Sequence, residues 1–112
     1  MSAVIDMDHL ARYTGGDATL NAEILRLFEA QTNELVAKLR SILKARDAKS
    51  WKEVTHTIKG AARGVGAFAL ADAAAACEKV DLADSDAATK AVDEVETHTD
   101  AVQLFIKSQL QA

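Results

Sequence analysis

Apolar side chains recur at intervals of three and four along most of the chain. Ile24, Leu27, Phe28, Gln31, Leu35, Leu39 and Ile42 form the first long series, the spacing of an amphipathic helix of several turns. Asp17 stands where it can cap that helix, Glu23 lies early in it, and Gly15 and Gly16 separate it from a short opening segment, Asp8 to Tyr13. The helix should end near Ala45, where Arg46 and Asp47 begin a turn, and Ser50 with Glu53 has the spacing of a capping box for the next one. Trp51, Val54, Ile58, Ala61 or Ala62, and Val65 then continue a second stripe. Gly64 and Gly66 interrupt or end this helix, since a glycine in a helix interior costs about 1 kcal/mol relative to alanine. A fourth segment, Phe68 to Ala83, carries Leu70, Ala73, Ala74, Cys77 and Val80 on one side, and its small side chains allow a neighbouring helix to approach closely. After a turn at Asp84, Ser85 and Asp86, the positions Val92, Val95, Thr99, Val102 and Ile106 mark a final helix.

Four long helices with short connections predict an all-α protein: an antiparallel up-and-down four-helix bundle with a short extra N-terminal helix, one domain over residues 1–112. Composition agrees. The 112 residues include 23 alanines against five aromatics and no proline, a bias toward helix and away from strand. The single Cys77 excludes an intramolecular disulfide framework. Thirteen bases against 17 acids leave a net charge of −4, so nucleic acid is not expected as the main partner. No apolar run approaches the ~20 residues that cross a bilayer. Met1 to His9 lacks the basic start and apolar stretch of a signal peptide, so the expected location is the cytoplasm, away from the membrane. Nothing in the pattern demands a dimer, and a monomer is expected.

The second stripe places the chemistry. On a helical wheel at about 100° per residue, Trp51, Val54, Ile58, Ala61 and Val65 gather on one side and His56 points away from them. Lys52, Lys59, Gly60 and Arg63 stand at i−4, i+3, i+4 and i+7 from it, so they share its outward face. Cations on an exposed helical face are most often simply solvated. Gly60 argues for more, because a glycine there forfeits stability with no packing return unless something large must approach the backbone. A neutral imidazole nitrogen can attack phosphorus, and a lysine one turn away can offset the incoming negative charge.

The stretch His56-Thr57-Ile58-Lys59-Gly60-Ala61-Ala62-Arg63-Gly64-Val65-Gly66 closely resembles the histidine-containing phosphotransfer domains of two-component phosphorelays: a histidine, a lysine three on, a glycine four on, two small residues and a glycine ten on. Leu70, Ala73, Cys77 and Glu78 are similar to that family's next helix. The resemblance implies a four-helix bundle of about this length and a phosphocarrier that accepts a phosphoryl group on His56 and exchanges it with the aspartate of response-regulator receiver domains. By the same resemblance Lys59 steadies the phosphoryl oxygens and Gly60 leaves room for the group and the partner. A polar side chain on an adjacent helix orients the ring through Nδ1, with Glu78, Gln31 and Thr32 as the candidates. Arg63 and Lys52 are expected to contact the partner.

The implied partners are receiver domains and a hybrid or sensor histidine kinase. The chain is expected to need no cofactor of its own, with Mg²⁺ supplied by the receiver. It has no P-loop spacing for ATP, so it is expected to be a phosphotransfer intermediate and not an autonomous kinase. Two other readings fit the same residues: a docking module that is never phosphorylated, and the detached phosphoacceptor domain of a chemotaxis-type kinase. His9 lies in the short opening segment, and His98 has only Glu94 one turn earlier, too few ligands for a metal site. Cys77 reads as a small core residue. Leu25, Val36, Leu43 and Leu104 fall outside the expected stripes, either as scattered surface leucines and valine or as an exposed docking patch.

Overall fold

The computed structural model describes residues 3–111, Gln111 by its backbone alone, and these form five helices: α1 (Met7–Thr14), α2 (Ala18–Ala45), α3 (Ala48–Val65), α4 (Phe68–Glu78) and α5 (Ser85–Gln111). Four of them begin behind an aspartate. The carboxylates of Asp6, Asp17, Asp47 and Asp84 accept from the backbone N–H groups of His9, Leu20, Ser50 and Ala87 at 3.1, 2.9, 3.1 and 3.1 Å. These are first-turn donors that have no carbonyl of their own helix to bond, and a negative charge at that end also suits the helix dipole. The expected capping box at Ser50 and Glu53 is therefore displaced by one turn. Asp47 is the cap, and Ser50 is held by it, donating its hydroxyl to Asp47 Oδ2 at 2.6 Å.

The four longer helices close a ring in which α2 packs on α3 and α5, and α4 packs on the same two. This is the all-α bundle with a short N-terminal helix that the pattern predicts, elongated at 45 × 26 × 21 Å. Trp51, Leu25, Leu39, Ile58, Leu70, Val92, Val95 and Ile106 fill its centre. Small residues let α4 sit close to its neighbours, with Ala71, Ala74 and Cys77 fully buried. Arg40 joins α2 to α5, its Nε and Nη2 donating to Glu96 at 2.8 and 2.9 Å and Nη2 to Asp93 at 2.6 Å. Those carboxylates raise the guanidinium pKa further above its ordinary value.

Three further expectations are corrected. The buried arc of α2 is Leu25, Phe28, Thr32, Val36 and Leu39, whereas Gln31 is exposed and Leu27 is 72% exposed. Because α2 packs on both α3 and α5, its apolar arc centres between them and leaves Leu27 and Gln31 on the outer edge. Leu25 and Val36 thus belong to the core and Leu43 packs partly against it, while Leu104 stays exposed. On α3, Gly64 does not break the helix, and the buried side is Trp51, Thr55, Ile58, Ala62 and Val65. Thr55 tolerates burial because its hydroxyl donates to Trp51 O at 2.7 Å. Finally, α4 stops at Glu78 and not at Ala83. Asp81 makes the stop, its side chain accepting from Ala83 N at 2.9 Å and its carbonyl from Asp84 N at 2.9 Å, and the turn returns Leu82 to the core.

The residues before α1 pack against the α3–α4 turn. Ile5 is fully buried, and Asp6 N donates to Gly66 O at 2.9 Å. Gly66 ends α3 in the left-handed conformation, φ 89°, and a Cβ there would stand 2.8 Å from Asp6 O. Two independent requirements thus select glycine, the backbone conformation and the close approach of the N-terminal segment. Gly66→Ala should lower the unfolding free energy by about 2 kcal/mol or more, combining left-handed strain with the displaced segment. Urea titration checks this, and a loss within ~0.5 kcal/mol would refute the packing account.

Candidate functional site

His56 sits midway along α3 with its side chain 71% exposed. The helix phase that buries Trp51, Thr55, Ile58 and Ala62 leaves His56, Lys52, Gly60, Arg63 and Gly64 on the open side and turns Lys59 toward α4. The end of α4 brings a carboxylate to meet them. Glu78 Oε2 lies 3.4 Å from His56 Nδ1, and Glu78 Oε1 lies 3.1 Å from Lys59 Nζ. One carboxylate is therefore shared between two side chains spaced one turn apart. The opposite ring nitrogen, Nε2, has no hydrogen-bond partner among the described residues.

The lysine dominates the electrostatics of this group. Its hydrogen bond holds the Glu78 carboxyl below its ordinary pKa, against a smaller upward push from desolvation, and the charges of Lys59 and His56 add to the lowering. Both side chains of that pair are largely withdrawn from water, Lys59 at 19% and Glu78 at 24% exposure. The carboxylate is thus kept ionised and kept an acceptor, which is what an Nδ1–H donor requires.

The three residues considered as ring partners are placed apart. Glu78 meets the imidazole. Gln31 lies on α2 in a shallow depression with Ile24, Leu27, Phe28, Ala61 and Val65, more than a turn along α3 from His56. Thr32 points into the core. Among the described residues neither makes a hydrogen bond to His56. Lys52 and Arg63 are both exposed, one turn before and two turns after the histidine. His9 packs between the rings of Tyr13 and Phe68, and His98 borders a small cavity beside the N-terminal segment. Burial pushes the Cys77 thiol up to about 12, as suits an unreactive core cysteine.

Two features were not singled out from sequence. Gly64 joins Gly60 in having nothing within 4 Å of where a Cβ would stand, and neither needs a left-handed backbone. His56, Gly60 and Gly64 fall at successive i+4 positions, so a strip of bare backbone runs from the imidazole along the outer face of α3. Exposed Leu20 and Leu27 stand on the neighbouring edge of α2. The second feature is Trp51, one and a half turns before His56, whose indole N–H donates to the Cys77 carbonyl next to Glu78 at 2.9 Å.

The Glu78 shift makes a pH prediction with a definite sign. A depressed folded pKa stabilises the protein above the ordinary glutamate value of about 4.3 and ceases to as pH falls through the lowered value. The stability difference between the native chain and Glu78→Gln should therefore shrink as pH falls below ~4.3. Urea unfolding from pH ~5 to pH ~3 measures it, and a difference that grows as pH falls over that range would refute the pairing with Lys59.

No curated protein and no solved structure matches the chain, and no described helix is long and apolar enough to cross a membrane. One family does match: the Hpt domain, over residues 23–105. The matched span runs from the first turns of α2 to near the end of α5 and contains the histidine, its lysine and its glutamate, so the chain belongs to the Hpt domain family, whose members serve phosphotransfer in phosphorelay signalling.

Proposed function

We propose that the chain acts as one phosphocarrier module that takes a phosphoryl group onto His56 Nε2 from an aspartyl phosphate and returns it to another aspartate. The observation that carries this reading is the division of the imidazole: on a side chain 71% exposed, Nδ1 stands against Glu78 at 3.4 Å and Nε2 has no hydrogen-bond partner among the described residues. An Nδ1–H bonded to the carboxylate leaves the lone pair on Nε2, the nitrogen a partner can reach. In the forward step Nε2 donates that pair to phosphorus, the N–P bond forms, and the acyl O–P bond breaks with its electrons leaving on the donor carboxylate. The ring gains positive charge as this happens, which strengthens its contact with Glu78. The 3.4 Å separation is the loose geometry of a resting site that tightens under charge.

Lys59 starts the cycle bound to Glu78 Oε1. A phosphoryl group on Nε2 presents oxygens to the same face, and the ammonium can turn to them while the Nδ1 proton keeps Glu78 partnered. Lys52 and Arg63 stay free to meet the acidic surroundings of a receiver aspartate, and the bare backbone at Gly60 and Gly64 beside Leu27 lets a receiver surface come close. The donors and acceptors in this reading are receiver domains of response regulators and of a hybrid histidine kinase. Its setting is the cytoplasm.

Incubation with a phosphorylated receiver domain should place an acid-labile, base-stable label on the chain. The label should vanish in His56→Gln. A label that survives this substitution, or none on the native chain, would sink the proposal and favour a docking module that is never phosphorylated. The glycines make an independent prediction. Gly60→Ala and Gly64→Ala should each stabilise α3 by about 0.5–1 kcal/mol, since the methyl meets open space, yet slow transfer from the receiver. Parallel thermal melts and transfer time courses test this, and variants that gain stability without losing rate would remove the glycines from the docking surface.

A further inference from the structure

The last residue of α4 is Glu78, and that helix has neither a left-handed closing residue nor a side-chain cap of its own. α1, α2 and α3 each close on a left-handed residue, Gly15, Arg46 and Gly66. α4 closes on Lys79 at φ −84° and ψ −12°, still right-handed, and its N-terminal cap, Ala67, offers no side-chain acceptor. Nearby backbone bonds, Lys79 N to Ala76 O at 3.2 Å and Val80 N to Cys77 O at 3.1 Å, tighten the last turn without tying it to the rest of the bundle. Beside the burial of Cys77 and Leu82, the hydrogen-bonding tie comes from α3, where Trp51 Nε1 donates to Cys77 O at 2.9 Å.

That carbonyl belongs to the peptide joining Cys77 to Glu78. The indole is 1% exposed and the bond is buried, so it is not traded for water. The helix that carries His56 therefore reaches across with a second side chain and grips the backbone from which the ring's partner projects. Trp51, Cys77 O, Glu78 and His56 form a closed circuit between two helices, with both of its α3 members on one rigid segment.

We infer that Trp51 is a positioning residue for His56. Its indole N–H fixes the end of α4 so that the Glu78 carboxylate stands against Nδ1, and it thereby selects the ring tautomer with its lone pair on Nε2. This rests on the reading of Glu78 as the group that orients the phosphoacceptor, and its test is made on the unphosphorylated chain so that the two can fail separately. Trp51→Phe removes the donor, while Cys77 O keeps its bond from Val80 N and is not left unpaired. Replacing the indole by benzothiophene, which has the same shape and no N–H, removes the donor with less disturbance of packing.

The imidazole nitrogen chemical shifts of His56 give the tautomer ratio directly. In the native chain the Nδ1–H form should predominate. In both Trp51 variants the ratio should move toward Nε2–H, and transfer from a phosphorylated receiver should slow by roughly tenfold, the scale of a modest loss of alignment. Glu78→Ala should do the same, and adding Trp51→Phe to it should change neither readout further, because the tryptophan acts through the glutamate. Folded Trp51 variants with the native tautomer ratio would overturn the inference, as would additive effects in the double variant. A native chain that takes no label while its tautomer still responds to Trp51 would instead sink the phosphocarrier reading and leave the positioning role standing.

Discussion

An imidazole that reacts with a partner must be open to solvent and yet keep one orientation, and a side chain on the outer face of a helix has few neighbours to hold it. Beside His56 stands Glu78, whose two oxygens are divided between His56 and Lys59 at 3.4 and 3.1 Å. A carboxylate three-quarters withdrawn from water would be costly alone. The lysine offsets that cost and lowers the carboxyl pKa, which favours the charged, hydrogen-bond-accepting form beside His56. In the proposed reading Lys59 thus serves the site before any phosphate arrives, through the carboxylate that stands against Nδ1.

This arrangement depends on how close α3 and α4 lie. Ala71, Ala74 and Cys77 present almost nothing to their neighbours and are fully buried. A helix of larger residues would set its last turn further out and carry Glu78 away from Nδ1. The same small residues leave α4 with little side-chain anchorage, and it is the one helix that begins without a capping carboxylate. Its position is set by packing on both sides and by the indole of Trp51, so alanine-rich helix and buried tryptophan are complementary parts of one solution.

Features governed by near neighbours were legible in the sequence. Asp17 capped its helix as expected, and the outward grouping of His56, Lys52, Gly60 and Arg63 follows from helical spacing alone. Features governed by what packs against a helix were not. The seam of α2 depends on its sharing two neighbours, so Thr32 took the buried place and Gln31 the exposed one. The end of α4 depends on Asp81 folding its own turn and on Leu82 finding the core. The choice among Glu78, Gln31 and Thr32 had the same root. All three lay on helices adjacent to α3, and only the rotation of α3 decides which of those helices its charged edge faces. The hydrogen bond from Trp51 was illegible for a stronger reason, because its acceptor is a backbone carbonyl and carbonyls leave no mark in a sequence.

The glycines of α3 show why residue type alone does not reveal purpose. Gly66 is required from within, by a left-handed φ of 89° and by Asp6 lying where a side chain would begin. Gly60 and Gly64 are required by nothing inside the molecule, since a methyl at either would meet open space and strengthen the helix. The proposed approach of a partner to the face that bears His56 would account for both. Charge follows the same logic. The chain as a whole carries a net −4 and Arg40 is neutralised between Asp93 and Glu96, yet Lys52 and Arg63 remain exposed beside the imidazole. In the proposed phosphocarrier reading, the cations and bare backbone around His56 suit an anionic group delivered by another macromolecule.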